Sequence, residues 1–224
     1  RFEFVEMGRN MRENAGGFII RAENEIAAMT ALANKMFSRI RAGLVNMNSA
    51  FIDEHIEKLS GEEDYLDQMR EQLTRCLLRC YDLPLSDAAR HNIPHLLRIV
   101  EELERMSDDC YVFAMLMKKS IEKQMSFEKE DIDLLVPYSA LAAEFLDFIE
   151  ANINTHLDSD GLQKARALEN KIDESRTALK ALATRRLESG VNVKQELLYI
   201  DLVRNIERIG DCAFSISRAL SCLE

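Results

Sequence analysis

Two stretches of the sequence, Leu96–Asp108 and Tyr199–Asp211, combine the apolar spacing of a long helix with the same pair of acids. Apolar residues recur every three or four positions in both stretches, which predicts two amphipathic helices. The acids are Glu104 and Asp108 in the first stretch and Glu207 and Asp211 in the second. Each pair interrupts a row of apolar side chains, on a face that a helix normally buries. Because buried carboxylates are costly unless they are paired or bound to a metal, the duplicated pattern points to a function.

A second acidic pair is duplicated with nearly the same offset. Glu63 and Asp67 match Glu169 and Asp173, 106 residues later (63 to 169), while Glu104 and Glu207 are 103 residues apart. In both copies of this second pair an arginine follows three residues after the aspartate. The chain therefore consists of two sequence repeats, each carrying two acidic pairs.

The composition and periodicity predict an all-α protein. Only 8 Gly and 3 Pro interrupt a chain rich in helix-forming residues. We expect the second helix to begin at Ser60, which forms a capping-box pattern with Glu63, and the fourth helix to break or bend near Pro137. The predicted helices cover about residues 18–50, 60–81, 87–124, 128–156, 160–188 and 193–224.

Six helices in two repeats with short connections predict two tandem three-helix bundles related by a pseudo-two-fold axis. The first bundle is expected over residues 18–125 and the second over residues 126–224. Residues 1–17 are expected to form a linker or a short helix.

Several function classes are disfavoured by the sequence. The net charge of −10 disfavours nucleic acid as a partner, because there is no basic excess to neutralise phosphates. No nucleophile–base arrangement, Gly-rich phosphate loop or dinucleotide motif is present, so we predict that the protein is not an enzyme. A di-iron bundle enzyme would need Glu-x-x-His, and none of the 4 histidines follows a glutamate at that spacing.

The acidic pairs leave two interpretations open. Carboxylates on facing helices suit hard cations such as Mg²⁺, Ca²⁺ or Mn²⁺, and they can also hold iron. The alternative is a structural or adaptor bundle in which the acids only form ion pairs, with Arg70, Arg105, Arg176 or Arg208 among the nearby cations.

The acidic motifs also carry a family resemblance. Glu104-Arg-Met-Ser-Asp108 and Ile206-Glu-Arg-Ile-Gly-Asp211 resemble the Leu-Glu-Arg-Ile-Gly-Asp signature of the PhoU phosphate-uptake regulators. The resemblance is closer still to the PhoU-like C-terminal domain of bacterial sodium/phosphate cotransporters. It departs after the signature, where Asp109 and Cys212 stand in place of the family's histidine. Glu207 and Asp211 keep the better copy of the signature, and Asp109 offers the first copy one more oxygen ligand.

The resemblance implies a metal-binding regulatory domain of phosphate transport. The implied ligands are the eight acids of the four pairs, namely Glu63, Asp67, Glu104, Asp108, Glu169, Asp173, Glu207 and Asp211. The implied metal is iron, zinc, magnesium or manganese. The implied partner is a membrane transporter domain, in the same chain or in another one, and a homo-oligomer is also open. We expect the domain in the cytoplasm, tethered to the inner face of the cell membrane if it is part of a cotransporter; the alternative is a free-standing phosphate-signalling regulator.

Overall fold

The computed structural model of this chain describes residues 1–4, 14–45, 47–125, 127–190 and 192–224. These residues form six long α-helices and short connections. The helices are α1 (Ala15–Val45), α2 (Ser49–Tyr81), α3 (Asp87–Glu122), α4 (Lys129–Asn152), α5 (Ser159–Glu188) and α6 (Val193–Leu220). The all-α prediction and the six helices are confirmed.

The helices form two bundles, α1–α2–α3 and α4–α5–α6, as the repeats predict. Apolar residues at helical spacing produce this packing, for example the buried stripe of Ile26, Met29, Ala33, Met36 and Ile40 on α1. The two bundles also pack against each other through α3 and α6 and through α1 and α4, so their buried side chains form one continuous core. The architecture is therefore two sequence repeats built around a shared interior.

The start of α2 differs from the sequence prediction. The helix begins at Ser49, and its N-cap is Asn48, whose side chain accepts a hydrogen bond from the Phe51 backbone N–H at 3.1 Å. Ser60, the predicted cap, lies inside the helix beside the fully buried Leu59. The earlier start prevails because Phe51 and Leu59 bury apolar surface that a loop would leave exposed.

The end of α1 and the course of α4 also differ from expectation. α1 ends at Val45 rather than near residue 50. α4 continues through Pro137 to Asn152, instead of breaking there, with Tyr138 buried immediately after the proline. The Tyr138 hydroxyl donates to the Val203 carbonyl of α6 at 3.0 Å, which ties this part of α4 to its neighbour.

The remaining helix ends agree with the sequence signals. Asp158 caps α5 by accepting from the Gly161 N–H at 2.8 Å, and Gly190 after α5 has a φ of +85°, a conformation that glycine adopts without strain. Of the stretch 1–17, residues 1–4 contain no helix and pack along α2, where Gln72 Nε2 donates to the Phe2 carbonyl at 2.7 Å. Residues 5–13 of the predicted linker lie outside the described residues.

Candidate metal-binding site

The packing of α2 against α3 brings together Glu63, Asp67, Glu104 and Asp108, which we call the first cluster. Glu63 and Asp108 face each other across the two helices, close enough to share a hydrogen bond when one of them is protonated. Arg70 lies beside the other two acids, with Nη2 2.6 Å from Asp67 Oδ1 and Nε 3.7 Å from Glu104 Oε1. The structure thus brings the four predicted residues of the first repeat together between α2 and α3, with Arg70 against two of them.

Crowded negative charge perturbs the proton affinity of this cluster. Burial, the hydrogen bond to Asp108 and the nearby charges of Asp64 and Asp67 raise the pKa of Glu63 to about 7. Burial and the charge of Asp108 likewise raise the pKa of Glu104, although Arg70 opposes that shift. Like charges held close together favour either a proton or a cation between them.

In the second repeat α5 packs against α6 and brings together Glu169, Asp173, Glu207 and Asp211, the second cluster. Arg176 Nη1 donates to Glu207 Oε1, and its Nη2 lies 3.9 Å from Asp173 Oδ1. Arg176 occupies the position of Arg70 in the repeat, 106 residues later (70 to 176). The two clusters therefore share one plan: four carboxylates from two helices, with an arginine among them.

Burial and neighbouring acids act on the second cluster as well. Desolvation and the charges of Glu207 and Asp173 raise the pKa of Asp211 to about 6. Desolvation and the charges of Asp173 and Asp211 raise the pKa of Glu169. A cation near these carboxylates would relieve the same repulsion that raises these pKa values.

Exposure differs among the acids of each cluster. The side chains of Glu104 on α3 and Glu207 on α6 are only 16% and 15% exposed, whereas Asp67 on α2 and Asp173 on α5 are 49% and 47% exposed. Glu104 and Glu207 are thus largely buried members of their clusters, whereas Asp211, one turn further along α6, is exposed. Asp67 and Asp173 also form the ion pairs with Arg70 and Arg176 that their helical spacing allows.

The donor set suits a hard cation, because each cluster offers only carboxylate oxygens at its centre. Within the described part of the chain, no three acidic, histidine or cysteine side chains are arranged so that they could already hold a metal ion. In both clusters an arginine takes up part of the carboxylate charge. The residues therefore fit a cation by chemistry, and Arg70 and Arg176 would have to release a carboxylate to admit one.

Sequence reasoning missed a second group of charges, between α3 and α6. Glu102 and Asp109 are buried acids on α3, each with 3% of its side chain exposed. Arg98 pairs with Glu102 at 2.7 Å, and Arg208 Nη2 of α6 lies 3.0 Å from Asp109 Oδ1, without the alignment of a hydrogen bond. Asp109 thus faces α6, not the centre of the first cluster where the sequence suggested an extra ligand.

A signal for these residues was present in the sequence. Glu102 and Asp109 are seven residues apart and lie on the same helix face as the buried Ile99 and Met106. The acids at 104 and 108 drew attention because they recur in the second repeat, whereas Glu102 and Asp109 do not: their counterparts, 103 residues later, are Asn205 and Cys212. A comparison of the two repeats therefore cannot identify Glu102 and Asp109, because only the first repeat has acids at these positions.

One family of known proteins matches part of this sequence. The model of the PhoU domain family matches residues 139–220, which include the whole second cluster. No curated protein matches the sequence at a significant level. Among the described residues, no helix is both long and apolar enough to cross a membrane.

Solved structures share the architecture over nearly the whole chain. PhoU from Pseudomonas aeruginosa is 19% identical and superposes with a TM-score of 0.80, over 92% of this chain and 96% of that chain. The phosphate transport system regulatory protein PhoU from Streptococcus pneumoniae is 16% identical, with a TM-score of 0.77, over 94% and 96%. A PhoU-like phosphate regulatory protein from Shewanella oneidensis is 12% identical, with a TM-score of 0.63, over 90% and 98%. The chain has the PhoU fold, and the predicted two-bundle architecture is confirmed.

Proposed function

We propose that this protein is a PhoU-type regulator of phosphate transport that binds metal through its two carboxylate clusters. The observation that carries the proposal is the coincidence of two findings: 92% of the chain superposes on a PhoU structure, and the PhoU domain match covers Glu169, Asp173, Glu207 and Asp211. The structure from Streptococcus pneumoniae is described as a regulatory protein, so the proposed role is regulation rather than catalysis.

The first and second clusters are the proposed metal ligands, four carboxylates in each. A bound cation would supply positive charge to both helices of a pair, which adds to the stability of the folded state. Glu63, whose pKa is raised to about 7, is partly protonated near neutral pH and would release that proton on binding, whereas Asp211, with a pKa of about 6, is already mostly ionised there. Arg70 and Arg176 hold part of each cluster in place while no cation is present.

The metal proposal is tested on the second cluster. We expect the wild-type protein to carry metal by elemental analysis and to melt at a lower temperature after treatment with a chelator. The Glu207→Ala/Asp211→Ala variant should lose that metal, while Asp201→Ala, on the same helix but paired with Arg204, should keep it. A wild-type protein that carries no metal and whose melting ignores added cations would contradict the proposal.

The regulatory proposal is tested in cells. The second compared structure is described as a phosphate transport system regulatory protein, and we extend that role to this chain. Deletion of the gene should change the dependence of phosphate uptake on external phosphate, and the wild-type gene should restore it. Restoration by wild type but not by Glu207→Ala/Asp211→Ala would link regulation to the second cluster; uptake that deletion does not alter would contradict the role.

The partner in this proposal is a membrane transporter, on another chain or on the same one. All three compared structures are described as PhoU or PhoU-like proteins and none of the three as a cotransporter, so the PhoU-type regulator takes precedence over the cotransporter domain. Capture of a phosphate-transporter subunit from membranes by the tagged chain is the expected result for a separate regulator. A metal-free adaptor bundle is the second candidate, favoured by the arginine in each cluster, and it predicts that Glu104→Gln/Asp108→Asn changes stability without changing metal content.

A further inference from the structure

A basic groove of about 460 Å³ lies between α3, α5 and α6, and none of the eight clustered acids lines it. Its polar walls consist of Arg98, His95, Arg166, Arg218, Ser215 and Ser221. Among the described residues that line it there is no Asp or Glu, although the whole protein has a net charge of −10. The walls thus contain three guanidinium groups and no carboxylate, in a chain whose net charge is negative.

Two of the arginines present guanidinium groups that no carboxylate has neutralised by direct contact. The Arg166 guanidinium lies over the Phe214 ring, 5.3 Å from its centroid, and this contact fixes its plane while leaving its N–H edge available. Within the described part of the chain, Arg218 forms no ion pair or side-chain hydrogen bond. Glu169 of the second cluster is near enough to feel both charges but does not pair with either.

The third arginine and a hydroxyl group are oriented together. Arg98 donates to Ser215 Oγ, with Nη2 at 3.0 Å and Nε at 3.3 Å, while its Nη2 also pairs with Glu102 at 2.7 Å. Glu102 is not among the residues that line the groove, and its carboxylate contacts the same terminal nitrogen of Arg98 that donates to Ser215. Arg98 is therefore a pre-positioned donor, and the excess positive charge comes from Arg166 and Arg218.

The end of α6 does not place free carbonyl groups against an anion. The Ser221 hydroxyl donates to the Arg218 carbonyl at 2.7 Å, and the Cys222 N–H donates to the Ala219 carbonyl at 3.1 Å. Satisfied carbonyl groups repel an anion less than free ones, and the negative end of the helix is weakened accordingly. The groove thus offers donors from three helices and few competing acceptors.

We propose that this groove binds a phosphoryl group, either as inorganic phosphate or as part of a phosphorylated molecule. Guanidinium groups bind phosphate oxygens by two parallel hydrogen bonds, and several of them arranged around a cavity suit a tetrahedral anion with more than one charge. The Ser215 hydroxyl group, which accepts from Arg98 and keeps its own proton to donate, and His95 add neutral hydrogen-bond donors. The inference goes beyond the proposed regulatory function and does not depend on bound metal.

The test uses the full chain after removal of metal by a chelator, so that failure of the metal proposal does not affect it. Isothermal titration with sodium phosphate at constant ionic strength should show saturable binding to the wild type. Arg166→Gln/Arg218→Gln should weaken binding at least about tenfold, whereas Arg204→Gln, an exposed arginine on α6 paired with Asp201, should leave it unchanged. Absence of binding to the wild type, or equal binding by the double variant, would overturn the proposal.

Titration with two ligands identifies the source of the phosphoryl group. If inorganic phosphate binds the wild type more tightly than glycerol phosphate does, the free ion is the ligand; the reverse order assigns a phosphorylated molecule. Chloride that competes as well as phosphate at equal ionic strength would contradict a phosphoryl site. Arg166→Lys keeps the charge but loses the planar fork, and it should weaken phosphate binding while the melting temperature in chloride stays that of the wild type.

Discussion

At the scale of single residues, the carboxylates within each cluster repel one another, and the other side chains of the folded protein neutralise this charge only in part. Glu63 and Asp211 are held among other acids, and both have raised pKa values, about 7 and about 6. Arg70 and Arg176 offset only part of this charge. The metal-free protein should therefore be less stable where these acids are ionised.

The sign of this effect yields a prediction for Asp211→Asn. The folded protein binds the Asp211 proton more tightly than the unfolded chain does, so this group lowers stability as pH rises from the ordinary value of 3.8 to about 6. In metal-free protein, the melting temperature of Asp211→Asn minus that of wild type should be near zero at pH 4 and positive above pH 6. Glu174→Gln, exposed on the same pair of helices, is the control. A gain that does not depend on pH would refute this account.

The identity of the clustered acids was predictable from the sequence, while their surroundings were not. Repetition and helical spacing place all four acids of each repeat on facing helices, as the structure has them. Spacing cannot reveal that Arg70 reaches Glu104 or that Arg176 reaches Glu207, because both contacts depend on how two helices pack. Nor can it reveal that Asp109 turns towards α6.

At the scale of a helix, the start of α2 shows how packing overrides a local signal. The capping-box pattern at Ser60 is a sound local motif, but the chain before it also carries helical apolar spacing. Phe51 and Leu59 are buried, and burial of two large side chains outweighs a cap of about 1 kcal/mol. The same reasoning explains why α4 continues past Pro137, with Tyr138 and Ser139 buried after it.

The observed cap predicts a contrast between two substitutions. Asn48→Ala should remove the bond to the Phe51 N–H and destabilise the protein by about 1 kcal/mol. Ser60→Ala should change stability by less than about 0.5 kcal/mol, because an alanine inside a helix removes no cap. Urea denaturation of both variants measures the difference. If Ser60→Ala proved the more damaging of the two, α2 would begin where the sequence pattern placed it.

At the scale of the whole molecule, the two repeats are joined by the interface of α3 and α6. This interface contains buried acids on α3 only, and a single core runs through both bundles. The repeats are therefore related in fold but not in the chemistry of their contact. Sequence repetition predicts the pseudo-two-fold arrangement, yet the asymmetric charges of the interface come from residues that differ between the repeats.

The pair of Asp109 and Arg208 yields a prediction about this interface. Arg208→Ala should leave Asp109 buried without a partner and destabilise the protein by about 2 kcal/mol, a value below that of a fully buried pair because the arginine side chain is 57% exposed. Asp109→Asn/Arg208→Ala should recover most of the loss. A double-mutant cycle from urea denaturation measures the coupling, and strictly additive effects would show that the pair does not contribute.

The distribution of cysteines has a practical consequence for the basic groove. Cys76, Cys80, Cys110 and Cys212 are buried, whereas Cys222 is exposed and lies in the wall of the groove beside Ser221. A maleimide fluorophore added to the native protein should attach at this one thiol, with no need for an engineered labelling site. Its emission would then report the binding of anions in the groove. The label is useful because the chain has no tryptophan whose fluorescence could serve instead.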